Sequence, residues 1–267
     1  MGSSRSLWVT PQSVITRRGT VRADMEDCEP DRDLGWNPQL DAAWERIGRP
    51  PCPGRVARVD RGWSTVMRHS RDDDPLRVRN LTAEVAVGDW VVPSADGERV
   101  EHVIERTSAF VRRASFEGDR FEADTLAANV DVVFLVHALG TPPNQRRLER
   151  ELVLAFDSGA QPVVLLTKAD LVEDAEPGRA QLASVALGVP VLVASGKTGV
   201  GLDAVAAYAT GNRTLVFLGA SGVGKSTLVN ALSAGRRWTP ARCAKATSAA
   251  ATRRWPPSSC ACRARDG

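Results

Sequence analysis

Residues 219–226 read Gly-Ala-Ser-Gly-Val-Gly-Lys-Ser, which matches the phosphate-binding pattern G-x-x-x-x-G-K-[ST]. The apolar run 215–218 precedes this stretch and a helix-forming run, 226–232, follows it, which is the strand–loop–helix context that the pattern requires. Glycines let the backbone curl so that successive N–H groups face a phosphate, and the helix N-terminus adds a favourable dipole. The stretch therefore predicts a nucleotide phosphate site in an α/β domain.

Two side chains of this loop would carry its chemistry. Lys225 would reach the β- and γ-phosphates and Ser226 would offer its hydroxyl to Mg²⁺, so both are candidate catalytic residues and Ser226 is the candidate metal ligand. A glycine-rich turn without a ligand is the competing interpretation. The nucleotide-contacting residues predicted in this region are Gly219, Ala220, Ser221, Gly222, Val223, Gly224, Lys225, Ser226 and Thr227.

A second stretch, Thr167-Lys168-Ala169-Asp170, follows the apolar run 162–166 and concerns the choice of base. The Asp170 carboxylate can accept hydrogen bonds from the ring N–H and exocyclic amine of guanine, whereas adenine presents an acceptor nitrogen there. Losing such a pair leaves buried polar groups unsatisfied, at a cost of about 1–3 kcal/mol. The Lys168 stem can cover the plane of the base. Read alone, the pattern is weak, because lysine and aspartate in loops are usually solvated.

A third loop strengthens the guanine interpretation. Residues 193–203 read Val-Ala-Ser-Gly-Lys-Thr-Gly-Val-Gly-Leu-Asp and follow the apolar run 189–193. The backbone of Ser195 and Gly196 could donate to the guanine carbonyl oxygen, although a glycine-rich connection is the alternative when this loop is read alone. All three loops follow strands of one domain, and together they predict a guanine-nucleotide site.

The residues around these loops alternate between apolar runs and helical stretches, beginning with Val-Asp-Val-Val-Phe-Leu-Val at 130–136. Strands that alternate with helices predict a doubly wound α/β domain with a parallel sheet. Residues 54–113 have a different texture, with about five short alternating runs separated by Gly or Asp turns. They predict a small β-barrel, either an OB-fold or another small β domain.

The chain is accordingly divided into five segments. We predict a disordered extension at 1–33, a short helix and linker at 34–52, the barrel at 53–114, the P-loop domain at 125–234 and an aberrant, disordered tail at 235–267. The 267 residues carry a formal charge of +3, but 235–267 contain eight Lys or Arg against one Asp. Residues 1–234 are therefore net acidic, at −4, so the overall charge gives no argument for nucleic-acid binding outside the tail.

The order of the loops is unusual, because Asp170 and Ser195 precede the phosphate loop, which comes first in most GTPases. The sequence resembles the circularly permuted ribosome small-subunit-dependent GTPase A family in this order of the loops. It also shares with that family the stretch Leu-Ala-Ala-Asn-Val-Asp at 126–131 and Leu171 after Asp170. The resemblance covers about residues 34–232. It implies a circularly permuted P-loop GTPase domain behind an OB-fold, with GTP or GDP and Mg²⁺ as ligands.

The same resemblance implies a GTPase that acts late in maturation of the small (30S) ribosomal subunit and whose OB-fold contacts ribosomal RNA. Thr167–Asp170 and 219–227 would be its nucleotide-binding stretches. Arg112 and Arg113 are candidate RNA contacts, although adjacent arginines are more often solvated surface. No apolar run approaches the ~20 residues of a membrane helix, so we expect a cytoplasmic protein that does not engage a membrane, and we expect a monomer.

Residues 241–267 depart from the family pattern. They contain no Val, Ile, Leu or Phe, and neither a switch threonine segment nor a strand ending in Asp-x-x-Gly is recognisable. Their composition is typical of G+C-rich coding DNA read out of register, which we interpret as a frameshift near 236–242. The family's zinc site is expected to be absent, because Cys243, Cys260 and Cys262 are followed by no histidine.

Loss of the switch segments predicts impaired hydrolysis, because no ordered residue would sense the γ-phosphate. The sheet is expected to be incomplete, with an exposed edge beside the phosphate-loop strand. Two alternatives stand beside an active GTPase. One is a non-catalytic fragment that binds guanine nucleotide or RNA, and the other is an ATP-using P-loop protein for which only 219–226 would matter.

Overall fold

The structure is a computed structural model that describes residues 29–70, 75–81, 84–113, 123–142 and 144–234. Most of the predicted extension at 1–33 and all of 235–267 lie outside these ranges. The predictions of disorder, a frameshift and a missing zinc site therefore stay predictions. In the described ranges, no helix is both long and apolar enough to span a bilayer.

A short helix, α1 (Pro38–Arg46), precedes the first sheet. Its N-terminus is set by Asn37, whose side-chain oxygen accepts hydrogen bonds from the backbone N–H groups of Gln39 and Leu40. Pro38 occupies the first turn, where a missing N–H costs no helical bond. The apolar side of α1 joins a buried cluster in which aromatic rings meet edge to face, formed by Trp36, Trp44 and Trp90. This cluster holds α1 on the sheet.

Five antiparallel strands form the first sheet, in the order β3-β2-β1-β4-β5. They are β1 (Gly54–Asp60), β2 (Trp63–Met67), β3 (Leu76–Arg79), β4 (Trp90–Pro93) and β5 (Val100–Val103). A parallel bridge between Arg79 and Arg99, with a hydrogen bond from Arg79 N to Glu98 O, joins the two edge strands. The interior is filled by inward-facing side chains such as Val56, Val66, Val78 and Val91. The prediction of an OB-like barrel is confirmed.

A two-stranded antiparallel ribbon, β6 (Ala109–Arg113) and β7 (Ala123–Ala128), connects the barrel to the second sheet. Ala109 N donates to Ser158 O of the α/β domain, and Ala128 N donates to Val87 O of the barrel. The sequence did not indicate the ribbon as a separate unit, because residues 109–113 read like one more barrel strand.

The second sheet is parallel, in the order β10-β9-β8-β11. Its strands are β8 (Val132–Ala138), β9 (Gln161–Thr167), β10 (Val191–Val193) and β11 (Leu215–Gly219). The helices are α2 (Gln145–Asp157), α3 (Glu176–Ala183), α4 (Leu202–Ala206) and α5 (Lys225–Ala234). Separate apolar clusters cover the two faces, one with Leu148 and Leu182, the other with Val205 and Leu228. The α/β fold is therefore confirmed, and within the described ranges β11 pairs only with β8.

A buried arginine connects the two sheets. Arg55 of β1 is 1% exposed, and its guanidinium donates to the carbonyl oxygens of Leu34 and Asn129. Asp131, two residues after Asn129, accepts a 2.6 Å hydrogen bond from the backbone N–H of Thr214, which lies immediately before β11. Burial lowers the pKa of Arg55 to about 10, against the opposing effect of nearby carboxylates. We call Arg55, Asn129, Asp131 and Thr214 the interdomain joint.

Candidate nucleotide site

The loop 219–224 connects β11 to α5, and its glycines shape it. Gly222 and Gly224 have φ values of 80° and 96°, in the left-handed region that glycine adopts at little cost. A Cβ atom at Gly219 would lie 2.4 Å from the carbonyl oxygen of Val136 in β8, so only glycine fits where β11 ends. The loop leads into the N-terminus of α5, where N–H groups without helical partners and the helix dipole favour an anion.

Lys225 and Ser226 occupy the first turn of α5. The Lys225 ammonium donates hydrogen bonds of 2.8 Å and 2.7 Å to the carbonyl oxygens of Gly219 and Ala220, which places it across the start of the loop. Ser226 and Thr227 are exposed at the same end of the helix. A cation and two hydroxyl groups therefore lie together at this end of α5, a set suited to phosphate oxygens and Mg²⁺.

Thr167, the last residue of β9, connects the phosphate loop to β8. Its side chain is buried, and its hydroxyl lies within hydrogen-bond distance of the carbonyl oxygens of Val223 and His137. Lys168 has a φ of 60°, a left-handed conformation that is uncommon outside glycine. Its Cγ lies 4.0 Å from a Cβ position at Gly224, so the lysine stem lies beside the phosphate loop.

Asp170 is exposed and lies in the short 3₁₀ turn Ala169–Leu171. Its Oδ1 accepts a 2.6 Å hydrogen bond from the Ser195 hydroxyl. The pKa of Asp170 is lowered from its ordinary value, first by this bond and further by the positive charges of Lys197 and Lys168. Asp170 is therefore an ionised acceptor at neutral pH, and Ser195 restricts its orientation.

Ser195 is fully buried and organises the third loop. Its Oγ accepts hydrogen bonds of 3.2 Å from the backbone N–H groups of Lys197 and Thr198. Its own backbone N–H donates to Val200 O at 2.9 Å, which leaves the Gly196 N–H as the loop's candidate donor to a base. The sequence pattern predicts only a backbone role for Ser195 and does not indicate its side-chain hydrogen bond to Asp170. A polar serine directly after an apolar strand was the available signal.

The third loop also packs on α5. A Cβ atom at Gly196 would lie 2.9 Å from the backbone nitrogen of Leu228 and from the carbonyl carbon of Thr227. The structure thus brings the three predicted loops together at the carboxyl ends of β9, β10 and β11. This is the edge at which parallel α/β sheets bind ligands.

Two other predictions concern residues outside these loops. Arg112 and Arg113 lie in β6, paired in register with Asp124 and Ala123 of the ribbon. No group of three or more His, Cys, Asp or Glu residues that could hold a metal occurs in the part of the chain that the structure describes. The cysteines at 243, 260 and 262 lie beyond that part.

Several known proteins are similar to this chain in sequence. A family model described as RsgA GTPase matches residues 103–248. The Small ribosomal subunit biogenesis GTPase RsgA of Syntrophotalea carbinolica is 36% identical over 218 residues, which cover 76% of this chain and 60% of that protein. The protein of the same name from Streptomyces avermitilis is 44% identical over 218 residues, covering 74% of this chain and 55% of its own length. The chain thus spans somewhat more than half of these relatives.

Among solved structures, YjeQ from Thermotoga maritima aligns with a TM-score of 0.52 and 24% sequence identity. The alignment covers 69% of this chain and 66% of that chain. At this identity the likeness shows the fold alone. It agrees with a small antiparallel barrel followed by a parallel sheet flanked by helices.

Proposed function

Because this chain belongs to the RsgA GTPase family, we propose that it binds GTP and GDP, hydrolyses GTP to GDP and phosphate, and assists late maturation of the small ribosomal subunit. The observation that carries the proposal is the convergence of the phosphate loop, the Thr167–Asp170 turn and the Ser195 loop at one end of the sheet. The role in ribosome assembly follows the names of longer relatives.

The orientation of Asp170 supports guanine as the base. Its carboxylate is ionised and held by Ser195, so it can accept hydrogen bonds from the ring N–H and exocyclic amine of guanine. Adenine would present an acceptor nitrogen to the same carboxylate, a mismatch that costs about 1–3 kcal/mol. We propose that Gly196 N–H binds the guanine carbonyl oxygen and that the Lys168 stem covers the base.

On the phosphate side, we propose that Lys225 binds the β- and γ-phosphates and that Ser226 is the Mg²⁺ ligand. The Lys225 ammonium already lies across the loop, and it would exchange the carbonyl oxygens of Gly219 and Ala220 for phosphate oxygens. The left-handed glycines of the loop have no Cβ atoms to occupy the space a phosphate needs. When bound, Mg²⁺ would neutralise charge on the β- and γ-phosphate oxygens.

Hydrolysis by this chain is expected to be weak. Residues after 234 contain no recognisable switch threonine segment and no strand ending in Asp-x-x-Gly. The same observation favours a second candidate function, a chain that binds guanine nucleotide and RNA without turnover. The two candidates share one nucleotide site and differ only in hydrolysis.

We also propose that the barrel contacts ribosomal RNA of the small subunit and that the chain acts as a monomer. The ribosomal partner implies a cytoplasmic location. The barrel, as an OB-like sheet closed at Arg79 and Arg99, belongs to a fold that commonly binds oligonucleotides.

Competition for labelled GDP tests the base assignment. Unlabelled GDP and GTP should displace fluorescent GDP from the purified chain at concentrations about 5- to 150-fold lower than ATP needs, because the adenine mismatch costs about 1–3 kcal/mol. Efficient displacement by ATP would refute the guanine site. GTP turnover stimulated by small ribosomal subunits supports the first candidate, and GDP binding without such turnover supports the second.

A further inference from the structure

The outward face of β2 and β3 carries one tryptophan contacted by two arginines. The guanidinium carbons of Arg77 and Arg79 lie 4.8 Å and 4.9 Å from the Trp63 ring centroid. Strand register explains the contact, because Trp63 lies opposite Arg79 in the antiparallel ladder. Alternation along β3 buries Val78 and leaves both arginines exposed. We call Trp63, Arg77 and Arg79 the Arg–Trp–Arg cluster.

Among the residues that the structure describes, the two arginines of the cluster have no carboxylate partner, unlike several other arginines of the barrel. Their side chains form no ion pair or hydrogen bond with any residue in the described ranges. The carboxylate-paired arginines of the barrel are Arg58 with Asp60, Arg99 with Asp96, and Arg106 with Asp89. Within the described part of the chain, the guanidinium donors of Arg77 and Arg79 therefore remain for another acceptor, while Trp63 restricts their positions.

This arrangement suits a nucleic acid better than a simple anion. A guanidinium offers a planar fork of donors that matches phosphate, and it also stacks on nucleobases. Residues two apart along a strand are separated by about 6.8 Å, so neighbouring arginines can serve successive phosphates of one extended strand. Side chains already held by a ring lose less conformational entropy when a ligand binds.

We propose that the Arg–Trp–Arg cluster binds an unpaired RNA segment, with Arg77 and Arg79 on successive phosphates and a base stacked against the cluster. The inference rests on the proposed RNA-binding function of the barrel and assigns it to a surface. Residues 1–234 have a net charge of −4, so RNA binding by the barrel, as distinct from the basic residues 235–267, requires such a local group of arginines. An acidic protein segment would satisfy the charge without using the stacking surface.

Fluorescence anisotropy with an unstructured oligoribonucleotide of about 12 nucleotides tests the proposal, since one OB-fold covers about 4–16 nucleotides. The double variant Arg77→Gln/Arg79→Gln should lower RNA affinity about tenfold. It should also reduce the slope of log K against log salt by about 1.4, because each lost single-strand phosphate contact removes about 0.7. GDP affinity should stay unchanged, which checks that the variant is folded.

Arg49→Gln is the matched control. Arg49 also lies over a tryptophan, 4.9 Å from the Trp44 ring, but it pairs with Glu45 across 3.6 Å and follows α1. Its replacement should leave RNA affinity and salt slope unchanged. The variant Arg77→Lys/Arg79→Lys keeps the charge and removes the planar guanidinium. It should retain the salt slope and lose the preference for single-stranded over duplex RNA.

The possible outcomes separate this inference from the function on which it rests. Wild-type RNA affinity and salt slope in the Gln variant would mean that the chain binds RNA elsewhere, on the barrel or through the basic residues 235–267, so the cluster assignment is wrong. A wild-type chain that binds GDP but no RNA removes the RNA-binding part of the proposed function and this inference with it. Competition by polyglutamate at equal charge, as effective as competition by RNA, would overturn the nucleic-acid assignment.

Discussion

At the scale of single residues, Asp170 determines the choice of base. Replacing Asp170 with Asn keeps the shape but turns one acceptor oxygen into a donor, which opposes the guanine N–H groups. We expect the affinity for GDP to fall at least tenfold, about 1.4 kcal/mol, as for the loss of a charge-assisted bond. Titration with fluorescent GDP measures the change, with Asp203→Asn on α4 as control. GDP affinity unaltered by Asp170→Asn would place the base elsewhere.

Glu151 of α2 provides a test by pH. This buried carboxylate binds His137 Nε2 at 3.0 Å and Arg147 Nε at 2.7 Å. Burial alone would raise the pKa of Glu151, but the bonds from His137 and Arg147 outweigh it, and the pKa lies below the ordinary 4.5. The stability that Glu151 contributes is therefore present above pH 4.5 and is lost as pH falls through the lowered pKa.

Glu151→Gln should accordingly destabilise the protein by about 1–3 kcal/mol near neutral pH, because bonds to a buried charged partner are lost. The difference from wild type should shrink in urea unfolding measured at successively lower pH below 4.5, as the pH falls through the lowered pKa of the wild-type carboxylate. Glu149→Gln changes an exposed position of the same helix and should have little effect at either pH. If the difference in unfolding free energy between wild type and Glu151→Gln does not change with pH, ionisation of Glu151 is not the source of its stabilising effect.

At the scale of elements, the contact between the third loop and α5 depends on one glycine. A Cβ at Gly196 would lie 2.9 Å from backbone atoms of α5, so Gly196→Ala must push the loop away from the helix. We expect GDP binding to weaken at least tenfold, because the Ser195–Asp170 bond and the phosphate loop would no longer be aligned. Equilibrium binding of fluorescent GDP measures this effect.

Gly199→Ala in the same loop is the matched control. Gly199 has a φ of 84° and open space around its Cβ position, so alanine there costs only backbone strain of about 1 kcal/mol. The two variants should therefore differ in GDP affinity, which Gly199→Ala should leave close to that of the wild type. Equal loss of GDP affinity in both would show that loop strain, not packing on α5, determines binding.

The elements that the sequence predicted best are those with local signals. The phosphate loop and the Thr167–Asp170 turn are contiguous patterns, and each strand before them is an apolar run, so their places on the parallel sheet followed directly. The ribbon of β6 and β7 has no such local signal, because its hydrogen bonds join two strands that are not contiguous in the sequence. The hydroxyl contacts of Thr167 and Ser195 were not predictable either, because they depend on how neighbouring strands are aligned.

At the scale of the whole molecule, the interdomain joint determines how the barrel sits on the α/β domain. Arg55→Met keeps much of the side-chain volume but leaves the carbonyl oxygens of Leu34 and Asn129 without their donor. We expect a loss of about 2–6 kcal/mol of unfolding free energy, because each of the two buried carbonyl oxygens left without a donor costs about 1–3 kcal/mol. Arg58→Met on the same strand breaks an ion pair with partly exposed Asp60 and should cost about 1 kcal/mol or less.

Urea unfolding monitored by tryptophan fluorescence measures both variants, since Trp36, Trp44 and Trp90 form a buried cluster between α1 and the barrel. A loss for Arg55→Met no larger than that for Arg58→Met would mean that the joint contributes little to stability. Sequence alone did not indicate this joint, because Arg55 and Asn129 are separated by 74 residues and arginine is usually exposed. Only the packing of the two sheets shows that Arg55 is buried.

The position of β11 has a consequence for how this protein tolerates amino-acid substitutions. One end of the strand follows the Asp131–Thr214 bond and the other end is Gly219, about 13 Å away by the rise of an extended chain. Substitutions near the barrel and substitutions in the nucleotide loops thus alter opposite ends of a single stiff segment. Their effects on GDP dissociation should be epistatic in a double-mutant cycle, and related chains should vary at the two ends together rather than independently.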